Sequence, residues 1–180
     1  MNLSLFTQKP SKAGLVARDL TLIALMVAII EVCKIALAQI PNVELTSFWI
    51  ILFTLYFGTR IFYVIPVFIL LEGAIFGFGI WWVMYLYAWP LLAIVTLLLR
   101  RMKNAWEWSI VSGLFGLCFG ALCAIPYAVT GGIYAGVAWW VNGIPFDLIH
   151  GVGNFAIMLV LYHPIRRVMA KTKILEFQSE

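Results

Sequence analysis

The stretch 20–39, LTLIALMVAIIEVCKIALAQ, sets the strongest limit on what this chain can fold into. It is nearly all apolar and as long as the ~20 residues an α-helix needs to cross a ~30 Å hydrocarbon core. Yet its second half carries Glu31 and Lys34, which at i, i+3 are neighbours on a helix surface. Ionisable groups at that depth are costly and face a protein interior or a water-filled cavity. The first half is uniformly apolar, with Ala24 and Ala28 one turn apart. On a helical wheel Ala24, Ala28 and Glu31 fall within about 60° of one another. One stripe is therefore expected, with small residues toward one end and an acid toward the other.

Apolar runs recur from residue 20 to residue 162, broken only by short turns. Hydrophobic residues make up 64% of the chain and charged residues 11%, against about 45–50% and 25% in a soluble domain. No polar stretch is long enough to bury a core of its own. The expected fold class is an all-α polytopic membrane protein, a single membrane domain over 1–180 with six transmembrane helices and both termini cytoplasmic. The expected spans are 17–39, 45–57, 61–78, 83–99, 108–127 and 138–164, between cytoplasmic tails 1–16 and 165–180. Pro41 breaks the chain after the first span, since proline lacks a donor and restricts the residue before it. Gly73 and Gly77 form a GxxxG pair suited to close helix approach.

Charge placement supports six spans. Lys and Arg fall in the N-terminal tail, at Arg60, in Arg100-Arg101-Met102-Lys103 and in the C-terminal tail. The three intervening turns, near Asn42, Ile80 and Gly132, carry none, as the positive-inside rule requires for outer loops. The net charge of +4 thus reports orientation and not nucleic-acid binding. Trp49, Trp81, Trp82, Trp139 and Trp140 are expected at the outer interface, and Trp106 and Trp108 at the inner one. Cys33, Cys118 and Cys123 lie in apolar runs without a CxxC pair, and are expected as buried thiols and not as disulfide or metal ligands. Ala36-Leu37-Ala38 imitates a signal-peptide cleavage site, but the preceding run is too long and is interrupted by charge.

No P-loop, HExxH, GxSxG or GxGxxG motif is present, so no catalytic residue is expected, nor a metal site or a cofactor in this chain. The densest polar constellation lies in the last span. Asp147 and Asn154 are seven apart and share a helix face, with His150 close to it, a polar stripe about 10 Å long. Pro145 suits a first helical turn, so backbone near Asn142 is expected to be non-helical and to line a cavity. A substrate pocket in the outer half would combine this stripe with Glu31, Lys34, Glu72, Asn42 and Glu44, walled by Tyr85, Trp89 and Tyr127. The competing expectation is a packing network in which Glu31–Lys34 and Asp147–His150 are self-contained pairs.

With its small size, six spans and the motif Ala24-Leu25-Met26-Val27-Ala28 in the first of them, the chain resembles the S component of an energy-coupling factor (ECF) vitamin transporter. The segments Pro41-Asn42-Val43-Glu44-Leu45 and Gly143-Ile144-Pro145-Phe146-Asp147 also look like that group. The resemblance implies a bacterial plasma-membrane subunit that binds a water-soluble vitamin or precursor from outside. It implies docking, through Ala24 and Ala28, on a transmembrane coupling protein and two ATPases that use the ATP, and rotation in the bilayer to release substrate. It does not give the substrate: hydroxymethylpyrimidine, pyridoxine, a queuosine precursor and cobalamin remain open. The alternatives are a solitary proton-coupled carrier, for which inverted repeats would be expected, and a non-transport membrane scaffold.

Overall fold

The computed structural model describes residues 17–171, all of it helix and short connections. The tails 1–16 and 172–180, with Lys9, Lys12 and Lys173, lie outside the described residues. The helices are α1 (Ala17–Leu37), α2 (Thr46–Phe57), α3 (Ile61–Phe76), α4 (Ile80–Leu98), α5 (Ala105–Gly131) and α6 (Ile133–Lys171), with a single 3-10 turn at Gly58–Arg60. Five stretches are long and apolar enough to cross a membrane, and Thr46–Phe76 is one of them. It is not a straight rod. Trp49, near the start of α2, donates its indole N–H to Cys33 Sγ at 3.3 Å, and Glu72, near the end of α3, pairs with Lys34. On a continuous helix Trp49 and Glu72 would stand about 35 Å apart, so contact with adjacent residues of α1 requires the chain to reverse at Gly58–Arg60. At 12 residues α2 is about 18 Å long, short of a ~30 Å core.

α2 is buried almost all round: Phe48, Ile50, Ile51, Leu52 and Phe53 are at most 2% exposed. A helix apolar on every face belongs inside a bundle. The other helices show the inverse arrangement. Their outward faces are apolar, with Leu70 on α3, Leu98 on α4 and Val160 on α6 59, 76 and 67% exposed. Polar side chains instead gather inside, among them Glu31, Glu72, Asp147, His150 and Asn154. An apolar exterior around a polar interior is what a bilayer-embedded bundle requires.

The alternation of helix direction collects Arg60, Arg100, Arg101, Lys103, Arg166 and Arg167 at one end. There Tyr56 donates to the Arg166 carbonyl at 2.8 Å, and Arg166 Nη1 donates to the Lys103 carbonyl at 3.5 Å. The opposite connections, 38–45, 77–79 and Gly132, hold no Lys or Arg.

α5 and α6 form the closest pair. α5 starts with a capping box, Asn104 with Glu107, whose carboxylate accepts the Asn104 N–H at 3.1 Å. Gly113, Gly116 and Gly120 then face α6, and a Cβ on Gly116 would lie 2.9 Å from Gly151 Cα. One residue, Gly132 with φ 84°, suffices to turn α5 into α6. The expected break between the spans 108–127 and 138–164 is therefore a single residue, and α6 begins at Ile133. It runs unbroken through Asn142 and Pro145, so the expected non-helical backbone there is absent. At 39 residues α6 is about 58 Å long.

Three smaller expectations also change. A Cβ on Gly73 would meet first the rings of Phe78 and Trp82, and Gly77 lies beyond the end of α3 with φ 89°, so Gly77 serves the turn and not a helix face. Trp108 is fully buried and donates to the Met102 carbonyl at 3.3 Å; it is core and not an interfacial belt residue. Of the thiols, Cys118 is exposed on the outward face of α5, while Cys33 and Cys123 are half-buried.

Candidate functional site

Two polar groups lie toward the end of the bundle whose connections lack Lys and Arg. The first is built by α1 and α3. Lys34 pairs with Glu72, and Glu31 adjoins the same Glu72 carboxyl. The expected Glu31–Lys34 pair within one helix is thus replaced by an interhelical pair, because α1 packs its inner edge against α3. Glu31 is 5% exposed and Glu72 fully buried. Beyond the approach of the two carboxyls to each other, neither oxygen of Glu31 has a hydrogen-bond partner among the described residues, nor has Glu72 Oε1.

The second group joins the 38–45 connection to α2 and α6. Glu44 reaches forward over the start of α2, where its carboxylate accepts the N–H groups of Thr46 and Ser47 and the Ser47 hydroxyl, the last at 2.5 Å. A carboxylate at a helix N-terminus meets unpaired N–H donors and the positive end of the dipole. His150 Nε2 lies 3.2 Å from Glu44 Oε1. An ionised carboxylate only accepts, so Nε2 carries the hydrogen. Burial works against the Glu44 charge, but the hydrogen bond and charge of His150, with the bonds from Ser47 and Thr46, outweigh it and bring its pKa down to about 2. Asn154 Nδ2 donates to Ser47 Oγ at 3.1 Å and to the Ser112 carbonyl at 3.5 Å, tying α6 to α2 and α5.

Asp147 does not pair with His150. It accepts the Gly120 N–H at 2.9 Å, an approach open only because Gly120 has no Cβ. The stripe Asp147, His150 and Asn154 is nonetheless a single inward face, each residue at most 7% exposed.

Aromatic rings connect the two groups. Lys34 Nζ lies 5.5 Å from the centre of the Tyr85 ring, Tyr85 meets Trp89 edge-on at 5.2 Å, Trp89 lies 5.6 Å from Phe119, and Phe119 lies 4.8 Å from His150. Tyr85 stands within electrostatic range of Glu72, Glu44 and Glu31. Along this path Trp89 Nε1, His150 Nδ1 and Asp147 Oδ2 are buried without a hydrogen-bond partner among the described residues. Buried polar groups are nearly always satisfied, and three of the lapses lie on or beside this run of contacting rings.

The structure thus groups Glu31, Lys34 and Glu72 in one cluster and Glu44, His150 and Asn154 around the start of α2 in another, with Tyr85 and Trp89 in the run of rings between them, while Asp147 bonds Gly120. It leaves out two expected members. Asn42 is exposed at the tip of its turn with φ 57°, a backbone role that asparagine tolerates. Tyr127 stacks on Trp139 at 3.8 Å and fastens α5 to α6. Ser47, Ser112 and Phe119 join the site without having been expected. Glu44 standing just before an apolar run was the available signal for Ser47. The other two follow only from the α5–α6 register.

Ala24 and Ala28 are exposed on the outer side of α1, next to exposed Leu25 and Val32. The expected common stripe with Glu31 divides here: Glu31 sits at the edge of the buried face and turns into the bundle. Among the described residues no group of three His, Cys, Asp or Glu side chains is arranged to hold a metal ion. Compared with family models, with curated proteins and with solved structures, the chain matches none.

Proposed function

We propose that the chain is the substrate-binding S component of an ATP-driven ECF importer, set in a bacterial plasma membrane with six crossings and both termini inside. Its substrate is a small water-soluble vitamin or precursor. The observation that carries this reading is the ring-lined path from Glu31, Lys34 and Glu72 to Glu44, His150 and Asn154, with its buried unpartnered polar atoms. Interhelical polar contacts in membranes are worth about 0.6 kcal/mol each on average, a weak reason to bury so many ionisable groups for packing alone. Intramembrane ionisable residues are functional by default. The site lies toward the end whose connections lack Lys and Arg, the outer one by the positive-inside rule, where a solute from outside would enter. Ala24 and Ala28 offer a small-residue surface on the lipid-facing side of α1, suited to close approach by helices of a coupling protein.

Affinity purification of the tagged chain from its native membrane tests this. The reading expects a transmembrane coupling protein and two ATPases to travel with it. A solitary carrier is the second reading, favoured by the adjoining carboxyls of Glu31 and Glu72, which could share a proton. A lone chain whose uptake follows a proton gradient would establish that reading instead, and a lone chain with neither uptake nor ligand would leave a scaffold.

A further inference from the structure

Lys34 reaches the acid pair from one side, and its surroundings describe what else could stand there. Its ammonium is 4.8 Å from the Phe76 ring centre and 5.5 Å from that of Tyr85, so rings border the position it takes. It engages one oxygen of Glu72. Both oxygens of Glu31 and Oε1 of Glu72, all buried, remain without a donor. Two carboxyls thus adjoin one cation, and that cation is a point donor on a flexible stem whose side chain is still 26% exposed. A planar amidine-like group differs from an ammonium in presenting parallel N–H donors that bind carboxylate oxygens in pairs. Aromatic faces around a cation add attraction that grows on desolvation. On the far side of Tyr85, the buried Trp89 N–H lacks an acceptor.

We infer that the Glu31–Glu72 pair receives the cationic or amino-substituted edge of a flat heterocyclic substrate, and that Lys34 is its exchangeable stand-in. A ring nitrogen or carbonyl on the same ligand would accept from Trp89. This rests on the reading of the cluster as a substrate site and narrows the ligand class toward amino-heterocycles and away from anionic ones. Lys34 on this account competes with the ligand and does not bind it.

Three flat probes of one size separate the possibilities: benzamidine, a cation at neutral pH, benzamide, its neutral counterpart, and benzoate, an anion. Binding is measured by calorimetry on the full chain in mild detergent, without partners, and a monodisperse size-exclusion profile is required of each variant. Benzamidine is expected to bind about tenfold more tightly than benzamide, with no measurable heat from benzoate. Glu72→Gln and Glu31→Gln should each weaken benzamidine about tenfold. Lys34→Met should strengthen it about threefold by removing the competitor, a sign that general loosening of the fold would not produce. The inference is overturned if benzoate binds best or Lys34→Met abolishes binding, since Lys34 would then be an anion receptor. It is equally overturned if no probe binds, if the Gln variants leave benzamidine unaffected, or if sodium ions alone give heat that depends on Glu31 and Glu72. Because partners are absent, failure here leaves an importer for a different substrate standing, and failure of the ATPases to co-purify leaves the cation site standing.

Discussion

His150 Nε2 on α6 lies 3.2 Å from Glu44 Oε1 in the connection before α2, joining residues 106 positions apart. This contact latches the 38–45 connection to the longest helix. The same carboxylate caps α2 through Thr46 and Ser47, so one acid fixes the start of the most buried helix and the position of the imidazole.

The latch is acid-sensitive in a defined direction. The Glu44 pKa falls from an ordinary 4.5 to about 2. A carboxyl with a depressed folded value contributes stability above its ordinary value, and loses that contribution as pH falls through the folded one. Glu44 should therefore stabilise the chain fully above about pH 4.5 and progressively less toward pH 2, with a total on the order of 3 kcal/mol. Thermal melting of the wild type and Glu44→Gln across this range checks it: the gap between them should close as the pH drops. A gap constant with pH would show that Glu44 acts without its charge.

Asn154→Ala removes the donors to Ser47 Oγ and the Ser112 carbonyl. Losing one side of a buried hydrogen-bonded group costs about 1–3 kcal/mol. A melting shift of that size is expected, with weaker retention of any co-purified ligand. Unchanged retention at reduced stability would assign Asn154 to packing alone.

Gly120→Val should be among the most damaging single changes in α5. Any Cβ there runs into the Asp147 carboxylate and closes off the Gly120 N–H. Overpacking costs typically about 1–3 kcal/mol, and displacing a buried carboxyl from its donor adds to that. Asp147→Ala combined with Gly120→Val should recover part of the loss, and a double-mutant cycle with no coupling would contradict the contact.

Ala24→Trp and Ala28→Trp fall on exposed positions of α1. Surface changes of this kind usually stay within about 0.5 kcal/mol, so melting and ligand retention should persist while, under the proposed importer function, ATP-dependent uptake in vesicles carrying the proposed partners is lost. An equal fall in retention would mean that these alanines serve the site and not a partner.

Helix order and approximate bounds were legible in the sequence from apolar runs, and the division of Thr46–Phe76 into two helices from the turn residues Gly58-Thr59-Arg60. The inward stripe Asp147, His150 and Asn154 was legible from a seven-residue spacing on one helix. Pairing was not. Glu31 and Lys34 are local neighbours, yet Lys34 bonds Glu72, 38 residues away, because helix packing and not spacing decides which side chains meet. The start of α6 was hidden by Gly131 and Gly132, of which only the second leaves helical geometry. Asn42 and Tyr127 have the residue types of a binding site, but the backbone turn and the stack on Trp139 use them otherwise. Helices apolar on nearly all faces give little periodicity from which to read a buried side.

The most direct test of the account is mass spectrometry of small molecules released from the chain purified from its native membrane, beside Asn154→Ala prepared identically. If the polar path is a substrate site, the wild type releases a stoichiometric water-soluble heterocycle and the variant releases much less. Equal release from both, or none from a well-folded wild type, would contradict it.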